Sequence, residues 1–189
     1  IVLTVFTGST LNGQGSGSLI FDNPTLQSGT ALEVGAKYLY SNVQNNVDAV
    51  ISIDSLVNGA RINKFDDNSN GTGYKDAFQP AIQSGGVIGM SYAVFTIKFY
   101  VSGTSTPAIL SKIYPTAIDI DGGSSLKEFA YISVGSGAVL DYMLANADIS
   151  VSPMAAGEFM GQNVLGVERN GIDTSAMANM FTVIKTNVS

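Results

Sequence analysis

Residues Val94–Val101 read Val-Phe-Thr-Ile-Lys-Phe-Tyr-Val. In an extended chain successive side chains point to opposite faces. Val94, Thr96, Lys98 and Tyr100 then share one face, and Phe95, Ile97, Phe99 and Val101 share the other. The second face is wholly apolar and the first is mixed, which predicts a half-buried strand of a sheet. The same period of two, rich in β-branched residues, recurs along the chain. It shapes Ile1–Thr7, Ser18–Phe21, Leu32–Tyr40, Val47–Ile53, the longer run Val87–Val101, Ala108–Ile120, Glu128–Val134, Ala147–Val151 and Met180–Val188.

Turn formers separate these runs: Asn12–Gly17, Asn58-Gly59, Asn68–Gly73, Gly85-Gly86, Gly103–Pro107, Asp121–Ser125 and Asn170-Gly171. Short strands punctuated in this way predict an all-β fold, an antiparallel β-sandwich of jelly-roll or Ig-like type. A minor short helix is expected at Asp173–Met180, where Asp173-Thr174 can cap the Ala-rich turn that follows. Ser152–Gln162 fits neither period well. With no internal repeat and no low-complexity linker, residues 18–189 are expected to form a single β-sandwich domain. Residues 1–17 precede it as an N-terminal strand and Gly-rich connector.

Composition narrows the chemistry. The 189 residues include no Cys, His or Trp. Disulfides, thiolate nucleophiles, zinc fingers, Ser-His-Asp triads and imidazole bases are therefore excluded. Charged residues make up only 13% of the chain, about half the usual share, so small neutral groups (Ser, Thr, Asn and 21 Gly) must cover much of the surface. A net charge of −6 with nine scattered basic residues argues against nucleic acid and against an anionic membrane. No apolar run reaches the ~20 residues of a transmembrane helix. The opening Ile1-Val2-Leu3-Thr4 has neither Met nor a basic segment, so no secretory signal is read and the chain is expected to be a processed product or an excerpt. That is a hint of export.

Two acidic loops are candidate calcium sites. Asp66-Asp67-Asn68-Ser69-Asn70-Gly71 matches the first half of a calcium loop, with Asp66, Asn68 and Asn70 as alternate oxygen donors. The match ends there, because the twelfth position is Ala77 rather than Glu. The plainer reading is a polar hairpin loop. Asp119 and Asp121 stand two apart before a Gly-rich turn, and Glu128 can approach them after it. These three can also bind calcium, or Asp119 and Asp121 can accept backbone N–H groups in an Asx-type turn. Calcium is the one cofactor the sequence suggests. As a glycosidase pair the same carboxylates lack a Trp platform, and no nucleophile, base and oxyanion set can be assembled. The chain is therefore expected not to be an enzyme.

Three modification sites match short motifs. Asn70 and Asn187 each open an Asn-x-Ser/Thr sequon, and Ser55 lies in an Asp-Ser-Leu motif of the kind some bacteria O-glycosylate. In a chain rich in Asn, Ser and Thr all three also arise by chance.

The N-terminal strand must pair somewhere, because an unpaired apolar strand invites aggregation. Ile1, Val2, Leu3, Val5 and Phe6 are its apolar residues. Either it is the first strand of its own sandwich, or it leaves its subunit and completes the sheet of the next by β-augmentation. In the second case Gly8–Gly17 is the connector, and the repeated head-to-tail contact gives an open helical homopolymer. Met180–Val188 is its candidate neighbour or acceptor.

The segment Asp66–Val134 resembles a domain of large secreted bacterial surface proteins and adhesins, including pilus- and fibre-subunit-like ones. The resemblance rests on Ala77-Phe78-Gln79-Pro80, Phe95-Thr96-Ile97-Lys98-Phe99, Asp119-Ile120-Asp121-Gly122 and Glu128-Phe129. It covers about a third of the chain. It implies a β-rich, extracellular domain serving adhesion or a cell-surface fibre, with Asp119 and Asp121 as the positions that matter most. The expected function is a structural subunit of an extracellular bacterial surface fibre, a pilus-like (fimbrial) filament that polymerises by donor-strand exchange. Two alternatives remain open. One is a calcium-dependent adhesin module that binds a surface glycan or peptide; the other is a viral jelly-roll structural protein.

Overall fold

A computed structural model describes residues 2–5, 19–67, 69, 76–143, 145–168 and 179–188. Among the described residues, strands make up 50% and helix 1%, in several antiparallel sheets. This is the all-β, sandwich-like fold that the alternation predicts. The chain divides into two compact units, with main segments Ile1–Asn68 and Asp76–Ser111 in the first and Lys112–Thr186 in the second.

The first unit contains β1 (Val2–Val5), β2 (Thr25–Ser28), β3 (Lys37–Gln44), β4 (Val47–Val57), β5 (Arg61–Lys64), β6 (Ala81–Gln83) and β7 (Tyr92–Val101). Its main ladder is the antiparallel pair β4–β7, which runs from Val47 opposite Val101 to Val57 opposite Tyr92. β3 pairs β4 through the Asn45-Asn46 turn, and β2 pairs β3. β5 and β6 form a separate two-stranded hairpin. At Asn58-Gly59 both residues have positive φ, 55° and 76°, the turn chemistry that brings β4 sharply into β5.

β7 fulfils the alternation from which it was read. Phe95, Ile97 and Phe99 are buried, and Lys98 is exposed. Thr96 departs from the expected pattern: it is also buried, because its hydroxyl bonds the Asp54 carboxylate. Tyr38, Tyr40, Ala49, Ile51 and Ile53 complete the buried face of this sheet. Phe65 and Phe78 pack over it. Phe65 stacks on Tyr38 with ring centroids 3.6 Å apart, and Phe78 meets Phe95 edge-on at 5.1 Å.

The second unit is built from β8 (Leu110–Ile113), whose last residues enter it, β9 (Thr116–Ala117), β10 (Phe129–Ser133), β11 (Val139–Tyr142), β12 (Ile149–Pro153), β13 (Glu158–Asn163) and β14 (Phe181–Val188). β13 lies between β10 and β12, antiparallel to both. β14 pairs β11 and β9. Phe181, Val183, Ile132 and Ile120 are buried in this unit. Gly161 allows the packing to close. A Cβ there would lie 2.5 Å from the Phe181 ring, so the bare backbone of β13 is what lets the ring come this close.

Several expectations shift. Ser18–Phe21 is not a strand in the described part; pairing begins at Thr25 instead. Ser152–Gln162, ambiguous in sequence, falls across the β12–β13 hairpin. Ala108–Ile120 is broken into two short strands. The helix expected at Asp173–Met180 lies largely outside the described residues.

Candidate functional site

The N-terminal strand is placed first by its backbone. β1 pairs β7 in parallel, with Val2 opposite Val94, Leu3 opposite Phe95 and Val5 opposite Ile97. Ile1 and Phe6 lie outside the described residues. A parallel partner cannot be reached by a tight turn and needs a long crossover. Here the crossover contains β2 to β6.

Asp66 follows β5 and is held by its surroundings. Its Oδ2 accepts the Tyr40 hydroxyl at 2.9 Å and its Oδ1 accepts the Gln79 N–H at 3.0 Å. Burial raises its pKa, the two hydrogen bonds oppose this, and the nearby charges of Asp22 and Asp67 add to the rise. The buried Tyr40 phenol is pushed well above its ordinary value, chiefly by burial and then by the Asp66 charge. Asp67 forms an ion pair with Lys64 at 2.9 Å, and its N–H donates to the Gln79 carbonyl. Both oxygens of Asp66 therefore bind protein donors that fasten this loop to the sheet, which is the hairpin-loop role. Asn68 and Asn70, the other two members of the half-motif, lie outside the described residues.

Asp119, Asp121 and Glu128 are gathered by a closed loop in the second unit. Asp119 has φ +63°, so the chain turns there instead of running on as a strand. The Glu128 N–H donates to the Asp121 carbonyl at 2.8 Å, and Gly122 forms a bridge with Lys127. Gly122 is required, because a Cβ there would run into the Leu126 carbonyl oxygen. Glu128 senses the other two acids. Although Glu128 keeps solvent-exposed surface, the protein packed around it raises its pKa to about 7, with the charges of Asp121 and then Asp119 adding to the effect. Among the described residues, no three acidic side chains converge closely enough to hold a metal ion.

The Glu128 shift sets a pH dependence. The folded chain keeps this proton up to about 7, whereas an ordinary Glu loses it near 4.5. Between those values the folded state binds more protons, so stability falls as pH rises through that window. Because Glu128 is solvent-exposed, its share is discounted to about 1 kcal/mol. Glu128→Gln is expected to flatten this decline and to raise the melting temperature at pH 8 by about 2–4 °C. Thermal melts from pH 4 to 8 check this. Asp66 shifts in the same direction, so a smaller slope remains in the variant. Identical slopes in variant and parent would refute the assignment.

Asn163 went unnoticed in the sequence. It is 1% exposed, its amide donates to the Ile120 carbonyl at 3.4 Å, and its side-chain oxygen accepts the Gly166 N–H at 2.7 Å. Its backbone N–H reaches the Glu128 carbonyl at 3.0 Å. This one residue thus ties β13 to both ends of the acidic loop. A buried Asn is legible only once its partners are known.

Of the modification candidates, Ser55 sits within β4 beside a bulge and is half-buried. Asn187 is exposed near the end of β14 with φ +53°. Asn70 lies outside the described residues.

Comparison with known protein families, curated proteins and solved structures found no match.

Proposed function

We propose that the chain is a structural subunit of an extracellular surface fibre, polymerising by β-strand donation between copies. The observation that supports this most is β1, a parallel strand beside β7 supplied from the far end of the unit's sequence. No hairpin ties it to its neighbour. The ladder along Val94–Ile97 is a backbone pairing, and it is the same whether residues 2–5 come from this chain or from another copy. The Gly8–Gly17 segment, read from its Gly-rich composition as a connector, lies outside the described residues. A contact between different surfaces of successive copies does not close on itself and extends into a filament. The low charge, the absence of Cys and the Ser/Thr/Asn/Gly surface suit a material exposed outside the cell.

Negative-stain microscopy and sedimentation of the full chain test the proposal. Filaments that grow with protein concentration are expected. Removing residues 1–7 is expected to abolish them completely, and a synthetic Ile1–Thr7 peptide is expected to bind the truncated chain and raise its melting temperature. The same peptide added to the full chain is expected to cap growth. A full chain that stays monomeric at high concentration, or filaments that survive the truncation, would defeat the proposal.

A further inference from the structure

The solvent side of the first unit's sheet carries a shallow groove of about 570 Å³. Its position follows from the strand register. Tyr38, Tyr40, Ile51, Ile97 and Phe99 point to the core, so the alternate residues of β3, β4 and β7 form the opposite face. Leu39, Val50 and Lys98 line up in one row across three strands, and Lys37, Ser52 and Thr96 form the next. Lys37 and Lys98 therefore stand diagonally across the groove. At ordinary strand spacing their Cα atoms are about 12 Å apart.

Two features leave these lysines open to a ligand. Both are exposed, and among the described residues neither has an ion-pair partner, although the chain carries a net charge of −6. Asp48, which also lines the groove, and Asp54 beside it are both held by hydrogen bonds within the protein. Asp48 accepts the Asn42 N–H at 2.8 Å, the Ser102 hydroxyl at 2.8 Å and the Gly103 N–H at 2.9 Å. Those hydrogen bonds hold its pKa low against the opposing effect of burial. Asp54 accepts the hydroxyls of Ser52 and Thr96. Beside Lys98, the half-buried Tyr100 offers a ring, and Gln27, Thr104 and Ser105 add polar groups along the rim.

We propose that this groove binds an acidic oligosaccharide, a sugar chain with carboxylates on successive residues. Two separated ammonium groups match repeated negative charges better than a single small anion. Lysines serve here as point charges on flexible stems. A peptide is the poorer fit. Peptides join sheets at edges, where backbone groups are available; on a sheet face those groups are already spent in the ladders. A sugar needs only side-chain hydroxyls, amides, charges and a ring to lie against. The inference does not depend on fibre formation, because the groove lies on β3, β4 and β7 and makes no use of β1. Where copies do assemble, each brings its own groove, and a modest single-site affinity is multiplied.

Calorimetric titration of the full chain with tetragalacturonate, its methyl ester and hexaglutamate tests the proposal. Tetragalacturonate is expected to bind, with the ester at least about tenfold weaker and affinity falling in about 0.5 M NaCl. Lys37→Gln and Lys98→Gln are each expected to weaken binding about threefold to fivefold, as exposed charge pairs do. The double variant is expected to lose binding while its circular dichroism stays unchanged. No binding of tetragalacturonate at millimolar concentration would overturn the proposal. So would equal binding of the ester, undiminished binding by the double variant, or hexaglutamate binding as tightly as the sugar.

Discussion

Phe95→Ala is expected to destabilise the first unit by about 3–5 kcal/mol. Phe95 is fully buried on β7. Its ring meets Phe78 at 5.1 Å and Phe65 at 6.2 Å, both edge-on. Phe65 in turn stacks on Tyr38. Loss of the ring removes apolar burial and leaves a cavity beneath two aromatic side chains whose loops are pinned elsewhere. Phe65 precedes Asp66, which is tied to Tyr40, and Phe78 precedes Gln79, whose N–H also reaches Asp66. These anchors resist collapse into the void, which places the cost toward the upper end of the range. Urea unfolding followed by near-ultraviolet circular dichroism is the measurement. The midpoint should fall with the slope unchanged. A loss under about 1 kcal/mol would mean that the aromatic cluster is not the centre of this unit's stability.

Gly157→Ala is expected to have a comparable effect in the second unit, about 3 kcal/mol or more. Gly157 has φ +79° in the turn between β12 and β13. A Cβ there would collide with the Gly135 carbonyl oxygen. The obstacle is backbone, so no side-chain rotation relieves it. The Val134 N–H also donates to the Gly157 carbonyl at 3.1 Å, holding the two segments together. The cost adds left-handed strain to overpacking. Gly137→Ala is the matched control: φ is +81°, yet its nearest neighbour to a Cβ is the Lys185 ammonium at 3.7 Å. Only backbone strain of about 1–2 kcal/mol is expected there. Thermal melts of the two variants should separate clearly, and equal losses would mean that the close approach at Gly157 carries no weight.

How far the sequence could be read varies with the physics. Val94–Val101 was legible because one face is core and the other is solvent, so burial writes a period of two into the residues. Thr25–Ser28 was not, since all four residues are exposed and neither face selects for apolar side chains. Glu158–Asn163 was obscured by Gly161, which reads as a strand breaker but is required by the Phe181 ring. The approach of Glu128 to Asp119 and Asp121 was readable, because a Gly-rich turn closes over a short distance in sequence. The Lys37–Lys98 groove was invisible, since only register brings β3, β4 and β7 side by side. Asn163 was hidden for the same reason: its partners Ile120 and Gly166 are named by folding alone.

The parallel seat of β1 also bears on timing. β1 has to wait for β7, which leaves the ribosome long after it, so this ladder is among the most sequence-distant contacts of the unit and the loop-closure penalty places it late in folding. Once seated, the strand competes with any incoming copy at the effective concentration its own covalent tether provides, of the order of millimolar. A subunit that holds its own strand is thus self-capped at low concentration. Under the proposed strand donation, assembly by exchange then has a threshold set by tether length. On that proposal, lengthening or shortening the Gly8–Gly17 segment is expected to tune the concentration at which copies assemble, without altering a single residue of the seat.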